Sequence, residues 1–416
     1  MRKNQAIFSI LILLLFCHSV SAQEKLNDDA EISLLTASPW HGAVYALFGH
    51  TALRLQDDSL GIDIVFNYGY FDSTQPNFMY NFVRGQTDYV LGITAYEDFE
   101  FEYSYKGQEV VEQTLNLSNI EKQRLYDALF INAQPENMRY RYNYFYDNCA
   151  TRPRDMIERY TQNEIIYPPT NENQTYRDLL HECLHYYPWT EFGVDLMIGS
   201  DADKVIGARE KMYIPAYLMS SFEGAYFQNG DSLSNPLVSK SEIIISLDSE
   251  RNRPGEGVMF TPTITAFALL LVAILISLLQ VIKLSKIPLI YDTIIFGITG
   301  LGGVVIFVLM YLSEHPATIP NWNFVWMNIF ALIAAILFWL KPAKNIVYFY
   351  HLINFVVLTL FVLLWWLIPQ QLPFATIPFA LSLWFRSGTN MMMLRRKRIK
   401  NNRFTSSKHL KAGWGQ

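Results

Sequence analysis

Two patterns of apolar spacing divide this chain of 416 residues. From Gln23 to about Gly257, apolar and polar positions alternate in short runs rich in Tyr and Asn, over a length that can bury one sizeable core. From about Val258 the pattern changes to five unbroken apolar stretches, at about 258–282, 288–312, 322–340, 346–368 and 373–393. Each is near the ~20 residues a helix needs to cross a bilayer. Arg251-Asn252-Arg253-Pro254-Gly255 reads as the linker. The predicted organisation is therefore an α+β domain over 23–257, an all-α five-helix transmembrane domain over 258–393 and a basic tail over 394–416.

In the first part, His50 to Gln56 and Ile62 to Tyr68 have strand-like spacing around the turn cluster Asp57-Asp58-Ser59-Leu60-Gly61, which predicts a hairpin. Further strands are predicted at Tyr89 to Tyr96, Phe99 to Tyr105, Val110 to Leu117 and Tyr140 to Tyr146. Ser118-Asn119-Ile120-Glu121 matches a capping box, in which the Ser and Glu side chains satisfy free backbone N–H groups, so a helix should run to about Asn132. Pro153 is tolerable only in a helix's first turn, which places a helix start near Ala150 and its end at Tyr160. Thr175 to Tyr187 also reads as helix.

Residues 1–22 have the form of a secretory signal: Arg2 and Lys3, the apolar run Ile7 to Phe16, then Val20-Ser21-Ala22 before Gln23. Phe16 is too bulky for a lipoprotein cleavage site, so lipid is not expected on Cys17. Lys283 and Lys286 follow the first span, Lys341 and Lys344 the third, and Arg395-Arg396-Lys397-Arg398 with Lys400 the fifth. Ser313 to Asn321 and Pro369 to Leu372 carry no Lys or Arg. With five spans all three basic segments fall on one side, which the positive-inside rule makes the cytoplasm. The expected location is the inner (cytoplasmic) membrane, with the N-terminal domain periplasmic and the C-terminus cytoplasmic. A formal net charge of -5, with no basic stripe outside the tail, argues against nucleic acid.

Removing the signal leaves two cysteines, Cys149 and Cys183. In an oxidising compartment they can pair, but a disulfide framework shows more cysteines at regular spacing, so the reading puts a free Cys149 first. Most free cysteines are small buried hydrophobes. Against that stands the polar company of Asp147, Asn148, Thr151 and Arg152. At a helix N-terminus the dipole and unpaired N–H groups are expected to lower the thiol pKa from ~8.5 by roughly one unit or more. His50 is the candidate base, and a sulfur nucleophile with a base are the parts of a cysteine acyl-transfer site. A third group would hold the imidazole in one tautomer. Asn67 is the first choice, close to diagonal from His50 on the same hairpin face, and a one-residue register change would substitute Tyr68 or Phe66.

His181-Glu182-Cys183-Leu184-His185 fits the zinc protease pattern H-E-x-x-H. Its extended form fails at Pro188 and Glu191, and a third ligand, Asp195 or Glu210, enters only by assumption. The reading is coincidence, with no metal and no cofactor. Ser313-Glu314-His315-Pro316 and Asn321-Trp322-Asn323 place polar groups at the outer membrane edge, as interfacial anchors or as headgroup or substrate contacts. His315, Asn321 and Asn323 are candidates for such contacts, with Asn148 and Arg152 beside the thiol.

Gly49-His50-Thr51-Ala52 and Asn148-Cys149-Ala150-Thr151-Arg152 resemble the signatures of the Lnb family. So do Thr175-Tyr176-Arg177, Trp189, Gly193-Val194-Asp195-Leu196 with Gly199, Ile214-Pro215 with Leu218, and the five-span part with His315, Asn321 and Asn323. The resemblance covers nearly the full length. It implies a permuted papain-like (NlpC-like) exported domain, His before Cys, and a bacterial lipoprotein N-acyltransferase. Cys149 would take an acyl chain from a membrane phospholipid as a thioester, and the N-terminal amine of a diacylglyceryl lipoprotein would attack it. Asn67 comes from the hairpin alone. Three rivals stay open: a cysteine amidase or peptidase acting on cell-wall peptide, a zinc metalloprotease through His181, Glu182 and His185, and a non-enzymatic membrane assembly or sensing protein.

Overall fold

Seven antiparallel strands form the sheet that carries the exported domain. The computed structural model describes residues 25–412 except 72–73, 75, 171–172, 230–231, 256 and 283–286. The signal segment 1–22 with Cys17, and Lys283 and Lys286, lie outside the described residues. The strands are β1 (Glu31–Ala37), β2 (His50–Asp57), β3 (Ile62–Tyr70), β4 (Asp88–Ala95), β5 (Val110–Leu115), β6 (Arg139–Arg141) and, after the small sheet β7 (Ile165–Ile166), β8 (Tyr226–Asn229), β9 (Ser232–Pro236), the last strand β10 (Val238–Ile245). Their order is β10-β5-β1-β2-β3-β4-β6. The exported helices are α1 (Phe78–Val83), α2 (Tyr96–Lys106), α3 (Asn119–Asn132), α4 (Thr151–Tyr160), α5 (Tyr176–Leu184), α6 (Pro188–Met197), α7 (Ala208–Lys211) and α8 (Pro215–Glu223).

The sheet's two faces are packed differently. Leu34, Leu53, Leu55, Phe66 and Tyr68 meet Leu125 and Leu129 of α3, Ile157 of α4 and Phe222 of α8, forming the main core. On the opposite face Leu35, Ala37, Ala52 and Val65 meet Phe99 and Tyr103 of α2, with Tyr96 beside them, and neighbours from β5 and β10. The capping box forms as read, with Ser118 and Glu121 satisfying each other's backbone N–H at the start of α3.

Two strand expectations fail. Residues 99–105 lie in α2, because their alternating aromatics also place Phe99 and Tyr103 one helical turn apart, where they bury one face. Glu102 and Lys106 pair along that helix, and Gly107 closes it at φ 70°. At 140–146 the strand stops at Arg141, because the Asn143 side chain accepts from the N–H groups of Phe145 and Tyr146 and folds the backbone into a turn.

Five helical units follow in the second part: α9 (Pro262–Ile282), α10 (Ile287–Tyr311), a 3-10 turn Trp322–Val325 leading into α11 (Ile329–Leu337), α12 (Lys344–Leu363) and α13 (Thr376–Ala412). Among the described residues three helices are individually long and apolar enough to cross a membrane, Pro262–Ile282, Ile287–Tyr311 and Lys341–Leu363. The third stretch divides at Asn328, leaving nine residues of α11, about 14 Å of rise, short of the ~30 Å of hydrocarbon. The fifth stretch belongs to a helix that continues through the basic run, and its apolar character is broken by Arg386 and Asn390.

Arg386 is fully buried and Asn390 half-buried. Arg386 holds Asp292 of α10 through two bonds of 2.6 and 2.9 Å and donates to Ser277 and Gln280 of α9, while Asn390 donates to Asp292. An ion pair at this depth survives only when paired and bonded on all sides. Gly300 and Gly303 permit the close approach of α10 to residues 327–332, since a Cβ at either would lie within 2.4 Å of that backbone.

Candidate functional site

β2 begins at His50, one residue after Gly49, whose φ of 79° and closeness to the Ala37 carbonyl exclude a side chain. His50 projects from the α2 face of the sheet, and the Tyr103 ring lies stacked 6.4 Å from it. The hairpin register, with Leu53 opposite Phe66, places Asn67 near His50 on that face. His50 Nε2 is 3.3 Å from Asn67 Oδ1. Asn67 Nδ2 points to the Val65 carbonyl at 3.5 Å and donates to Thr94 Oγ1 at 3.2 Å. A carbonyl only accepts, so the amide's orientation is fixed and its oxygen faces the ring. His50 therefore carries its proton on Nε2 and leaves Nδ1 as the basic atom.

Cys149 stands on the turn entering α4, and Asn148 builds that turn. Its Nδ2 donates to the carbonyls of Tyr144 and Tyr213, and its Oδ1 accepts from the N–H groups of Ala150 and Thr151, all at 2.8–2.9 Å. Thr151 Oγ1 accepts from Asn148 N–H in return. The backbone N–H groups of Thr51, the residue after His50, and of Cys149 itself lie near enough to the sulfur to favour its charged form. Gly69, at φ 105°, lies against Cys149: a Cβ there would be in ordinary contact with Cys149 Cβ, at 3.5 Å. The sulfur thus lies near the backbone at the start of β2, one residue from His50, and neither residue is sealed from solvent.

The electrostatics reverse one expectation. Burial pushes the Cys149 thiol up to about 11, against the pull of the two N–H groups. Burial also pulls His50 down to about 4, opposed by the Asn67 bond and by Glu102. Both groups are neutral at pH 7. The lowered thiol pKa expected from the helix terminus does not appear, because burial outweighs the N–H groups near the sulfur and Asn148 has already taken the N–H groups of Ala150 and Thr151. The pair is a thiol poised beside a base rather than a standing thiolate.

Several candidate contacts have other work. Asn148 is buried, with both ends of its amide used, so it shapes the turn and has nothing left for a substrate. Arg152 is held by the Asp147 carboxylate and lies 3.6 Å over the Tyr140 ring. Cys149 and Cys183 are both free thiols. In the H-E-x-x-H segment α5 ends at Leu184, and His185 turns its Nδ1 to the Glu182 carbonyl at 2.7 Å. His181 instead bonds Asp195 at 2.9 Å. His181, Glu191 and Asp195 gather within 4.8 Å. The same Asp195 oxygen accepts Arg177 at 2.7 Å, which places a fixed cation where a metal would sit. Glu210 caps its own short helix α7. The two histidines of the pattern thus turn to different partners, His181 to Asp195 and His185 to the Glu182 carbonyl.

Arg177 is the centre of a clasp that the sequence did not announce. Fully buried, it holds Asp195 and Asp203 and the Gly199 carbonyl. Around this segment the exported and membrane parts interlock. Asn321 donates to the Leu196 carbonyl, Asn323 to that of Asp195 and Gln370 to that of Ile198, at 2.9–3.0 Å. Gly199 N–H reaches the Ala317 carbonyl at 2.6 Å, where a Cβ would strike Pro320. A second handhold joins the His315 ring to the Phe82 carbonyl at 2.7 Å and Glu314 to Arg141 at 3.0 Å. His315, Asn321 and Asn323 therefore bind protein, and the headgroup contacts expected of them are replaced by this interlock.

A family model described as the Lnb N-terminal periplasmic domain matches residues 22–182, and one described as the Lnb transmembrane domain matches residues 254–398. No curated protein and no solved structure matches the chain. His50, Asn67 and Cys149 lie within the first match, and the Asp292–Arg386 pair lies within the second.

Proposed function

This chain belongs to the Lnb family, and from that premise we propose that it is a membrane-bound bacterial lipoprotein N-acyltransferase with Cys149 as nucleophile and His50 as base. Family membership carries the architecture, a periplasmic domain joined to a multi-pass membrane domain of a lipoprotein-modifying type. The observation that supports the chemistry is the pairing of His50 with Asn67, which leaves Nδ1 as the ring's basic atom, one residue from the Thr51 N–H that favours the Cys149 thiolate.

In this reading His50 Nδ1 takes the thiol proton as sulfur attacks the ester carbonyl of a phospholipid. The N–H groups of Cys149 and Thr51 are at hand for the negative charge. As the tetrahedral species collapses, the C–O bond breaks and His50 returns the proton to the departing glycerol oxygen, leaving a lysophospholipid and an acyl-Cys149 thioester. The free amine of a diacylglyceryl lipoprotein then attacks, His50 receives its proton, and collapse gives the N-acyl amide and regenerates the thiol. The clasp supports lipid-anchored substrates in particular, because it holds the site against the membrane domain and concentrates both reactants there. Papain-like ancestry would fit a site with His before Cys and an Asn behind the His.

The test is mass spectrometry of lipoprotein N-termini from cells in which this chain is the sole acylating enzyme. Cys149→Ala should leave diacylated lipoproteins with free amines. Continued triacylation would defeat the proposal.

A further inference from the structure

Helix α1 reads Phe-Met-Tyr-Asn-Phe-Val and buries none of its residues. Met79 is 68% exposed and Tyr80 61%. Six residues are too few to hold a helix by propensity alone, and rings turned to water carry no stabilising burial. Something apolar belongs on this surface.

Its position names the occupant. The α1 segment is where the exported domain meets the outer end of α10: Glu314 N–H bonds the Arg84 carbonyl at 2.8 Å, Arg84 reaches the Leu312 carbonyl at 3.4 Å, and His315 holds Phe82. From His315 a row of rings leads away from the membrane domain in steps of about 6 Å: Phe82 at 6.2 Å, Phe78 at 6.1 Å, Phe71 at 5.8 Å and Tyr45 at 5.9 Å. The row ends at the reactive pair. Phe71 is two residues beyond Gly69, which abuts Cys149, and Tyr45 lies in the turn before His50.

We propose that this row is an acyl-chain track. With α1 resting in the outer leaflet, one fatty acyl chain of a membrane lipid lies along Phe82, Phe78, Phe71 and Tyr45 and brings its ester carbonyl to Cys149. A hydrocarbon chain asks only for apolar area, whereas a peptide laid on these rings would leave backbone donors and acceptors without partners. The placement of the carbonyl rests on the acyl-transfer reading of the site; the placement of the chain rests on the rings and their continuity with the membrane interface.

Two measurements on the full-length protein in phosphatidylethanolamine vesicles separate these parts. In the first, the vesicles contain phosphatidylethanolamine with a diazirine near the end of one acyl chain, and the protein is Cys149→Ala, so no chemistry intervenes. Photolysis should label α1, Phe71 or Tyr45, and the label should vanish in Phe71→Asn/Phe78→Asn. Label confined to α9–α13, or unchanged by the two substitutions, overturns the track. In the second, the Phe71→Asn/Phe78→Asn protein with Cys149 intact should lose about tenfold, ~1.4 kcal/mol, in the rate of Cys149 acylation from the long-chain lipid. Its acylation by a water-soluble short-chain ester should not change. Equal loss with both donors overturns the track. Labelling of α1 by a wild-type protein whose Cys149 is never acylated overturns the acyl-transfer reading and leaves the track standing.

Discussion

Cys149 should be a slow nucleophile at neutral pH when no substrate is present, and the margin follows from its surroundings. Burial raises the thiol from 9.0 to about 11 in spite of two N–H donors, a net cost of about 3 kcal/mol for the thiolate. At pH 7 the thiolate is then about one part in 10⁴, against ~3% for a free thiol of pKa ~8.5, so alkylation should run roughly 300-fold slower than at an exposed cysteine. The assay is the rate of iodoacetamide modification of full-length Cys183→Ser protein in nanodiscs, followed by mass spectrometry from pH 5 to 10. The rate should climb about tenfold per pH unit above 7 and show no plateau. In denaturant the same thiol should titrate near its ordinary value. A fast reaction that is flat between pH 5 and 8 would refute the reasoning, because only a standing thiolate–imidazolium pair behaves that way.

His50 should make the exported domain acid-sensitive. Its folded value of about 4 lies below the ordinary 6.5, so between those pH values the unfolded chain binds a proton that the folded chain refuses, and stability falls as pH drops through that window. The loss is at most ~3 kcal/mol, reduced by the solvent that still reaches the ring; His50→Gln should flatten denaturation midpoints over pH 6.5 to 4, and an unchanged slope would rule this account out. In the membrane domain, Asp292→Leu or Arg386→Leu alone should cost about 3–5 kcal/mol by stranding a buried charge, with the double substitution recovering most of it. Thermal midpoints in detergent check this, and single variants as stable as the parent would contradict it.

What could be read from the sequence was what depends on neighbours along the chain. The capping box at Ser118 and Glu121 lies within four residues and formed as written. The His50–Asn67 contact was legible because a tight turn fixes hairpin register, and register fixes the face. Residues 99–105 were misread because an aromatic at every second position also puts one at every fourth, and only the partner surface decides between the two periods. The state of the thiol was hidden for a related reason. A helix start suggests a low pKa, yet the folded chain buries Cys149 and Asn148 has taken the N–H groups of Ala150 and Thr151. Asp292 and Arg386 are 94 residues apart, and no local pattern pairs them. Asn321 and Asn323 were read as groups at a membrane edge, and their bonds to the carbonyls of Leu196 and Asp195, 125 and 128 residues away in the chain, have no local pattern to announce them.

The clasp around Arg177 also bears on time. Domains joined by a single linker swing in microseconds to milliseconds, and many enzymes admit substrate by that motion. Here such a swing would have to strip the bonds that Asn321, Asn323 and Gln370 make to the carbonyls of Leu196, Asp195 and Ile198. Entry to the thiol is left to smaller and faster parts, the exposed rings of α1 and the turn at Tyr45. Catalytic turnover in this protein should therefore be gated by side-chain and loop motion, and locking the two halves together with a cross-link across the clasp should leave it running.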